Sequence, residues 1–518
     1  MNRRIANRSL PGARRSRGLA GLLSLSTLFL CLGSPIAQAG PVQTDWKKIK
    51  APPLRDFKPQ QPSRIQLDNG LTIYLQPNPE LPLITVVGSI VGGSRDEPAD
   101  KVGLSGLYAH TLRAGGTRSK TGDQVDDFLA ARAAMVRWDE EIDSVNLTAN
   151  FHKADFDDVM NVIIEMLAAP QFQQDKLDLG KRQLTTIISR RNDDPMDIAD
   201  REAEKLALGA AHPHARQAEY ATVAAVTRED LVAWHRSHVH PNNMMLGIAG
   251  DFDPAAMTAK LRSLFGGWPR GPQAQLANIP FVPTKPGLYF VNKDDVNQSS
   301  IRLVQLGTTR KNPDAYAIEV MNEILGGGFA ARLFTNIRSK KALAYNVRGG
   351  VGMDWGYPAL YRLSMGTASK NTVRAVQALY EEVNAMLKDR PPTADELTKA
   401  KEAILNSFVF KVDSKTRVLR TRMGFDFYGY PPDYYDKYQA EIGKITLDDV
   451  KRVAAKYLNP AGFAVLVVGK AADFDAPLST LGLGPVNALD ITIPPPPAPP
   501  VPSAPAPGPG QAARPAGQ

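Results

Sequence analysis

Cysteine is nearly absent from this chain of 518 residues: the single one is Cys31, near the N-terminus. No intramolecular disulfide can form, and downstream of it there is neither a thiol nucleophile nor a cysteine metal ligand. Stability must come from burial, and the roughly 450 remaining residues supply core for two or more domains. Long apolar runs are scarce as well. The run "LAGLLSLSTLFLCLG" is short for a membrane span, and nothing after it approaches the ~20 apolar residues a spanning helix needs. Acids are missing from residues 1–39, which hold six arginines instead. A basic start, that apolar run and the small residues Ala37 and Ala39 follow the order of a secretory signal cleaved after Ala39. The expectation is an exported, periplasmic protein with no membrane segment after cleavage. Without the signal the formal charge falls from +9 to +3, which gives no basis for nucleic-acid binding. The C-terminus, "IPPPPAPPVPSAPAPGPGQAARPAGQ", has too little apolar bulk to fold, so a Pro/Ala-rich disordered tail is expected over 487–518.

What is present is a repeat. Residues 227–253 read "TREDLVAWHRSHVHPNNMMLGIAGDFD" and residues 446–475 read "TLDDVKRVAAKYLNPAGFAVLVVGKAADFD". Thr227 pairs with Thr446, Pro241 with Pro460 and Gly250 with Gly469, all at one offset of 219. Each copy opens with a threonine N-cap and acids in the first turn. An amphipathic helix, a proline turn and an apolar strand closed by glycine follow. One offset across helix, turn and strand marks a duplicated domain. "GLTIYLQPN" and "LITVVGSIVGGS" read as adjacent strands, as do "GLYFVNK" and "SIRLVQLGT", and each set precedes a long helical tract. The fold class is therefore α+β: two homologous domains, each a mainly antiparallel sheet with helices on one face. The divisions are an N-terminal extension at 40–61, a first domain at 62–270, a Pro/Gly-rich linker at 271–287 and a second domain at 288–486.

Two clusters invite a chemical reading. Five of the seven histidines, His212, His214, His235, His238 and His240, fall in one short span. Two on one helix face could hold a metal, but no glutamate there is spaced as a general base, and the second copy has no histidine. "FDFYGYPPDYYDKY" (425–438) is aromatic enough for stacking on a ligand, although proline punctuation favours internal packing. The glycines Gly326, Gly327 and Gly328 have no phosphate-loop lysine after them; they serve to break a helix and admit a close approach, by a peptide or a facing domain.

Taken in order, "GSRDEP", "GLSGLYAHTLRAGGT", "RRNDDP", "HPHARQ", the first repeat copy, "LGGGFAARLFTNIRSKKALAYNV" and "TLDDVKRVAAKYLNP" resemble the M16 (pitrilysin/insulinase-like) metallopeptidases, or inverzincins. That family uses His-x-x-Glu-His on a helix with a distant glutamate as third zinc ligand. Side chains four apart share a helix face, so two imidazoles grip the metal while the glutamate deprotonates its water. Here the first histidine falls at Gly106, the glutamate at Ala109 and the second histidine at His110. The helix expected to carry the third ligand, "KRQLTTIIS" (181–189), has no carboxylate. No metal is expected in this chain. Where the family receives substrate on an edge strand, "MVRWDEEID" brings Arg137 and Trp138.

The resemblance also implies a role for Arg338 and Tyr345, seven residues apart. M16 peptidases carry such a pair in a C-terminal half that closes over a zinc site, where a guanidinium and a phenol can donate to the scissile carbonyl as it becomes an oxyanion. The reading is the non-zinc-binding subunit of an exported heteromeric zinc endopeptidase, inactive alone. Zinc would sit in a partner M16 subunit, and a peptide in the chamber between them. The alternative is a catalytically inert M16-fold structural or peptide-binding protein.

Overall fold

The computed structural model describes residues 59–276 and 281–497. The signal expected at 1–39, nearly all of the 40–61 extension and the tail beyond 497 lie outside the described residues.

Two six-stranded sheets form the frame. The first contains β1 (Ser63–Gln66), β2 (Thr72–Pro77), β3 (Leu83–Val91), β4 (Met135–Glu140), β5 (Ser144–His152) and β6 (Met244–Gly250), in the order β1-β2-β6-β3-β5-β4. The second contains β7 (Gly287–Asn292), β8 (Gln298–Leu306), β10 (Asn346–Val351), β12 (Leu360–Ala368), β13 (Ala464–Gly469) and β14 (Val486–Ala488), in the order β10-β12-β8-β13-β7-β14. The short strands β9 (Thr308–Thr309) and β11 (Met353–Asp354) pair apart from both. Most neighbours are antiparallel; β2 with β6, β7 with β13 and β7 with β14 run parallel.

The sequence reading placed β2 beside β3 and β7 beside β8. The structure corrects both: β6 and β13 insert between them. The physical reason lies in those last strands. β13 is buried along its whole length and β6 at all but one residue, so both faces exclude water and an interior position is the one that suits them. The repeat itself stands as read. Thr227 and Thr446 each accept from the backbone N–H three residues on, in capping boxes with Asp230 and Asp449. The helices Arg228–His238 and Leu447–Tyr457 follow, and Pro241 and Pro460 open the turns into β6 and β13.

One face of each sheet packs against helices of its own half, forming the two large cores. The opposite face receives a helix from the other half. Helix Pro195–Leu208 belongs to the first half in sequence, yet its Ile198, Ala199 and Ala203 pack on Val304, Leu466 and Val468 of the second sheet. Helix Lys415–Phe427 returns the favour: Leu419 and Met423 pack on Tyr74, Val87 and Ala249 of the first sheet. Polar contacts tie these seams. Tyr74 OH donates to Asp426 at 2.5 Å, and Arg302 Nε lies 2.7 Å from Asp200 Oδ1. Truncating fully buried Leu419 to alanine would cost about 2–5 kcal/mol.

The C-terminal segment also differs from expectation. Its first residues complete β14, after which Leu489 and Ile491 pack against the 195–208 helix cluster and Ile493 against the first core. Asn192 Nδ2 donates to the Ile491 carbonyl at 2.7 Å. Alternating apolar residues in "ALDITIP" hold the chain through Ile493, after which the polyproline begins. Among the described residues no helix is long and apolar enough to cross a membrane.

Candidate functional site

Helix Leu104–Ala114 packs into the first core through Leu104, Leu107, Tyr108 and Leu112. Its remaining face turns toward a cavity of about 470 Å³, lined by Gly106 and His110, by Gln183, Leu184 and Ile187 of helix Gln174–Arg190, and by Glu97, Glu140, His214 and Arg216. This is where the sequence motif places a metal site, and the residues do not fit one. A Cβ built at Gly106 would overlap Oε2 of Glu140, so a carboxylate from the end of β4 occupies the room an imidazole would take. Ala109 is 3% exposed and belongs to the core. From the 181–189 stretch the cavity receives an amide and two aliphatic side chains, with Ile187 65% exposed. Among the described residues no group of three or more His, Cys, Asp or Glu converges to hold an ion.

The site's electrostatics are those of crowded acids. Glu97 is 5% exposed and caps the helix, accepting from Ser105 N at 2.7 Å, Ser105 Oγ at 2.6 Å and Gly103 N at 3.1 Å. Burial nevertheless outweighs these bonds and raises its pKa. Glu140 is pushed up to about 7, first by loss of hydration in the cavity wall and then by the charge of Glu97. His110 has an Nε2 buried without a partner, and burial lowers its pKa. It is the one imidazole left of the motif. Glu97 lay within the landmark "GSRDEP" and Glu140 ends the strand segment "MVRWDEEID", but nothing in sequence signalled that they converge on Gly106.

The five-histidine span does not assemble a site. His235 Nδ1 pairs with Tyr108 OH at 2.9 Å and its Nε2 with the Leu167 carbonyl at 3.0 Å; burial takes its pKa down to about 4. His238 stacks on Trp234 with ring centroids 4.1 Å apart, and His212 lies against His214 and Phe281. The 425–438 aromatics pack inward: Phe425, Tyr430, Tyr434 and Tyr438 belong to the second core, with Trp355 set edge-on or tilted among them.

Arg338 and Tyr345 lie together in the second half. Arg338 lies in the last turn of the helical segment Leu333–Lys340, with its guanidinium 4.8 Å from the Tyr345 ring centroid and 4.5 Å from that of Phe334. Tyr345 is 84% exposed and nearby Phe329 is 81% exposed. Cation–π stacking of this kind holds the two side chains in a fixed relation while Tyr345 stays in solvent. Neither residue lines the Gly106 cavity. Of the glycines, Gly326 abuts β10: a Cβ there would overlap the Gly349 carbonyl. The close approach it permits is by the chain's own strand, while Gly327 is exposed.

Comparison with known proteins identifies the fold. Residues 73–208 match the family described as Insulinase (Peptidase family M16), and residues 225–404 match Peptidase M16 inactive domain. An uncharacterized zinc protease of Rickettsia felis is 23% identical over 410 residues, covering 76% of this chain and 93% of that protein. A non-peptidase homolog from Helicobacter pylori is 22% identical over 404 residues, covering 76% and 91%. Among solved structures, a peptidase M16 inactive domain from Pseudomonas fluorescens superposes with a TM-score of 0.72 at 22% identity, over 81% of this chain and all of that one. A protease from Helicobacter pylori gives 0.68 at 16% identity, over 79% of this chain and all of that one. These likenesses share the two-sheet fold described above. With these two matches in succession, the chain belongs to the peptidase M16 family.

Proposed function

We propose that this chain is the non-zinc subunit of an exported heteromeric M16 endopeptidase, lending Arg338 and Tyr345 to a zinc site carried by another M16 chain. The observation that carries the reading is a contrast between the two halves. The first has Glu140 in the room of a ligand and aliphatic side chains facing it. The second keeps an arginine stacked on an exposed tyrosine. The partner's zinc would activate water. Arg338 and Tyr345 would donate to the peptide carbonyl oxygen as negative charge develops on it. Export rests on the arginine-rich, apolar and small-residue order of residues 1–39.

The test is reconstitution of the mature chain with a zinc-bearing M16 chain. Tyr345 OH has no hydrogen-bond partner among the described residues, so Tyr345→Phe should leave stability within about 0.5 kcal/mol. Loss of an oxyanion donor should lower kcat about 10²–10³-fold. Unchanged turnover, with equal complex formation by size exclusion, would remove the catalytic role. It would favour the second reading, an inert M16-fold structural or peptide-binding protein, which the non-peptidase homolog from Helicobacter pylori also supports.

A further inference from the structure

The exchanged helices allow the two halves to be compared place by place. Helices Pro195–Leu208 and Lys415–Phe427 start 220 residues apart, and their buried positions correspond: Ile198 with Val418, Ala199 with Leu419, Ala203 with Met423. Asp200 and Arg420 are therefore equivalent. The sheet rows beneath them also correspond. In the second sheet Arg348 on edge strand β10 stands opposite Ser364, which stands opposite Arg302. In the first, Arg137 on edge strand β4 stands opposite Thr148, which stands opposite Val87. Each row begins with an edge arginine and a hydroxyl.

In the second half the helix supplies the counter-charge. Asp200 Oδ1 lies 2.7 Å from Arg302 Nε and 3.2 Å from Arg362 Nη1. Burial alone would raise the Asp200 pKa, but Arg302, Arg362 and Arg348 hold it below the ordinary value. In the first half the same place carries Arg420. It donates to Thr148 Oγ1 at 3.0 Å, and no carboxylate among the described residues forms an ion pair with it. Crowding of the guanidinium against the sheet, and then the charge of Arg137, lower its pKa. Asp139 is already paired with Arg137 at 2.7 Å. Below Arg420 lies a cavity of about 190 Å³ that also takes in Ser89, Ser144, Asn146 and Phe427, with no Asp or Glu in its lining. Hydroxyl, amide and guanidinium donors over an apolar wall suit an acid of side-chain size.

We propose that this face of the first sheet, beneath Arg420, binds an aspartate or glutamate side chain of an extended peptide, which supplies the negative charge that Asp200 supplies within the second half. The site names an acidic peptide as the class of ligand handled. It adds to the reading above but requires no zinc-bearing partner, so a failed reconstitution leaves it standing.

The test uses the mature chain alone and fluorescence anisotropy at low ionic strength. The probes are a fluorescein-labelled alanine-based decapeptide with one central glutamate and its glutamine counterpart. A charge-assisted hydrogen bond gives about a 10–100-fold preference for glutamate. Arg420→Gln should abolish that preference, and so should Arg420→Asp, which restores an internal carboxylate beside Arg137; Arg420→Lys should keep part of it. Circular dichroism on each variant separates loss of binding from loss of fold. Equal affinity for the two peptides, binding of neither, or a preference that survives Arg420→Gln overturns the proposal. Glutarate measured by calorimetry resolves the source. Glutarate that binds and competes with the peptide supports the shared site, whereas glutarate binding with no peptide binding assigns it to free dicarboxylates and overturns the peptide.

Discussion

Replacing Glu140 with glutamine keeps its size and its place over Gly106 and removes only the ionisation. The carboxyl has an ordinary value of 4.5 and is pushed up to about 7 in the folded chain, so between those values the native state binds a proton that the unfolded chain has lost. Stability from this group is therefore undiminished below pH ~4.5, falls as pH rises, and is lowest above pH ~7. The full shift corresponds to a ceiling of about 3 kcal/mol. Glu140 faces an open cavity and is solvent-exposed, and screening there cuts the expected effect to about 1 kcal/mol. Urea unfolding at several pH values between 4.5 and 8 measures it. Wild type and Glu140→Gln should have equal midpoints at the acid end, and the variant should be the more stable by about 1 kcal/mol at pH 8. Other carboxylates cancel in the difference, apart from Glu97, whose charge is one cause of the raised Glu140 value. A gap between the two proteins that is the same at every pH would refute the reasoning.

Gly106→His with Ala109→Glu should bind zinc weakly and give negligible turnover by equilibrium dialysis and peptide assay, because Glu140 fills the new side chain's room and Ile187 still faces the cavity. Adding Ile187→Glu and Glu140→Ala should tighten the metal, since the set then has three ligands and space to hold them. Truncation after Gly484 should lower stability by about 2–4 kcal/mol in urea unfolding, through loss of β14 and of the packing by Leu489, Ile491 and Ile493. Truncation after residue 497 should leave all of that packing in place and the midpoint unchanged.

The duplication was legible because its signals are local: a threonine cap, a proline turn and a glycine-closed strand are written within thirty residues of one another. The loss of one ligand and of the general base was legible for the same reason, since Gly106, Ala109 and His110 share one helical turn. Strand order was not. Sequence neighbours β2 and β3 read as a pair, and only the burial of β6 on both faces explains why it lies between them. The exchanged helices were equally hidden. Ile198, Ala199 and Ala203 announce an apolar stripe, and a stripe does not say whose sheet it will cover. Glu140 and Arg420 escaped notice because each meets a residue far away in sequence, Gly106 in one case and Thr148 in the other.

The reciprocal exchange of helices has a mechanical consequence. Swinging the two halves of this chain apart would peel Leu419 and Met423 from one sheet and Ile198 and Ala203 from the other. The penalty is on the order of 10 kcal/mol, comparable to the whole stability of many domains. Residues 59–276 and 281–497 therefore behave as one stiff jaw, and on the subunit reading proposed above a gate for a long guest would open along the junction with the partner chain.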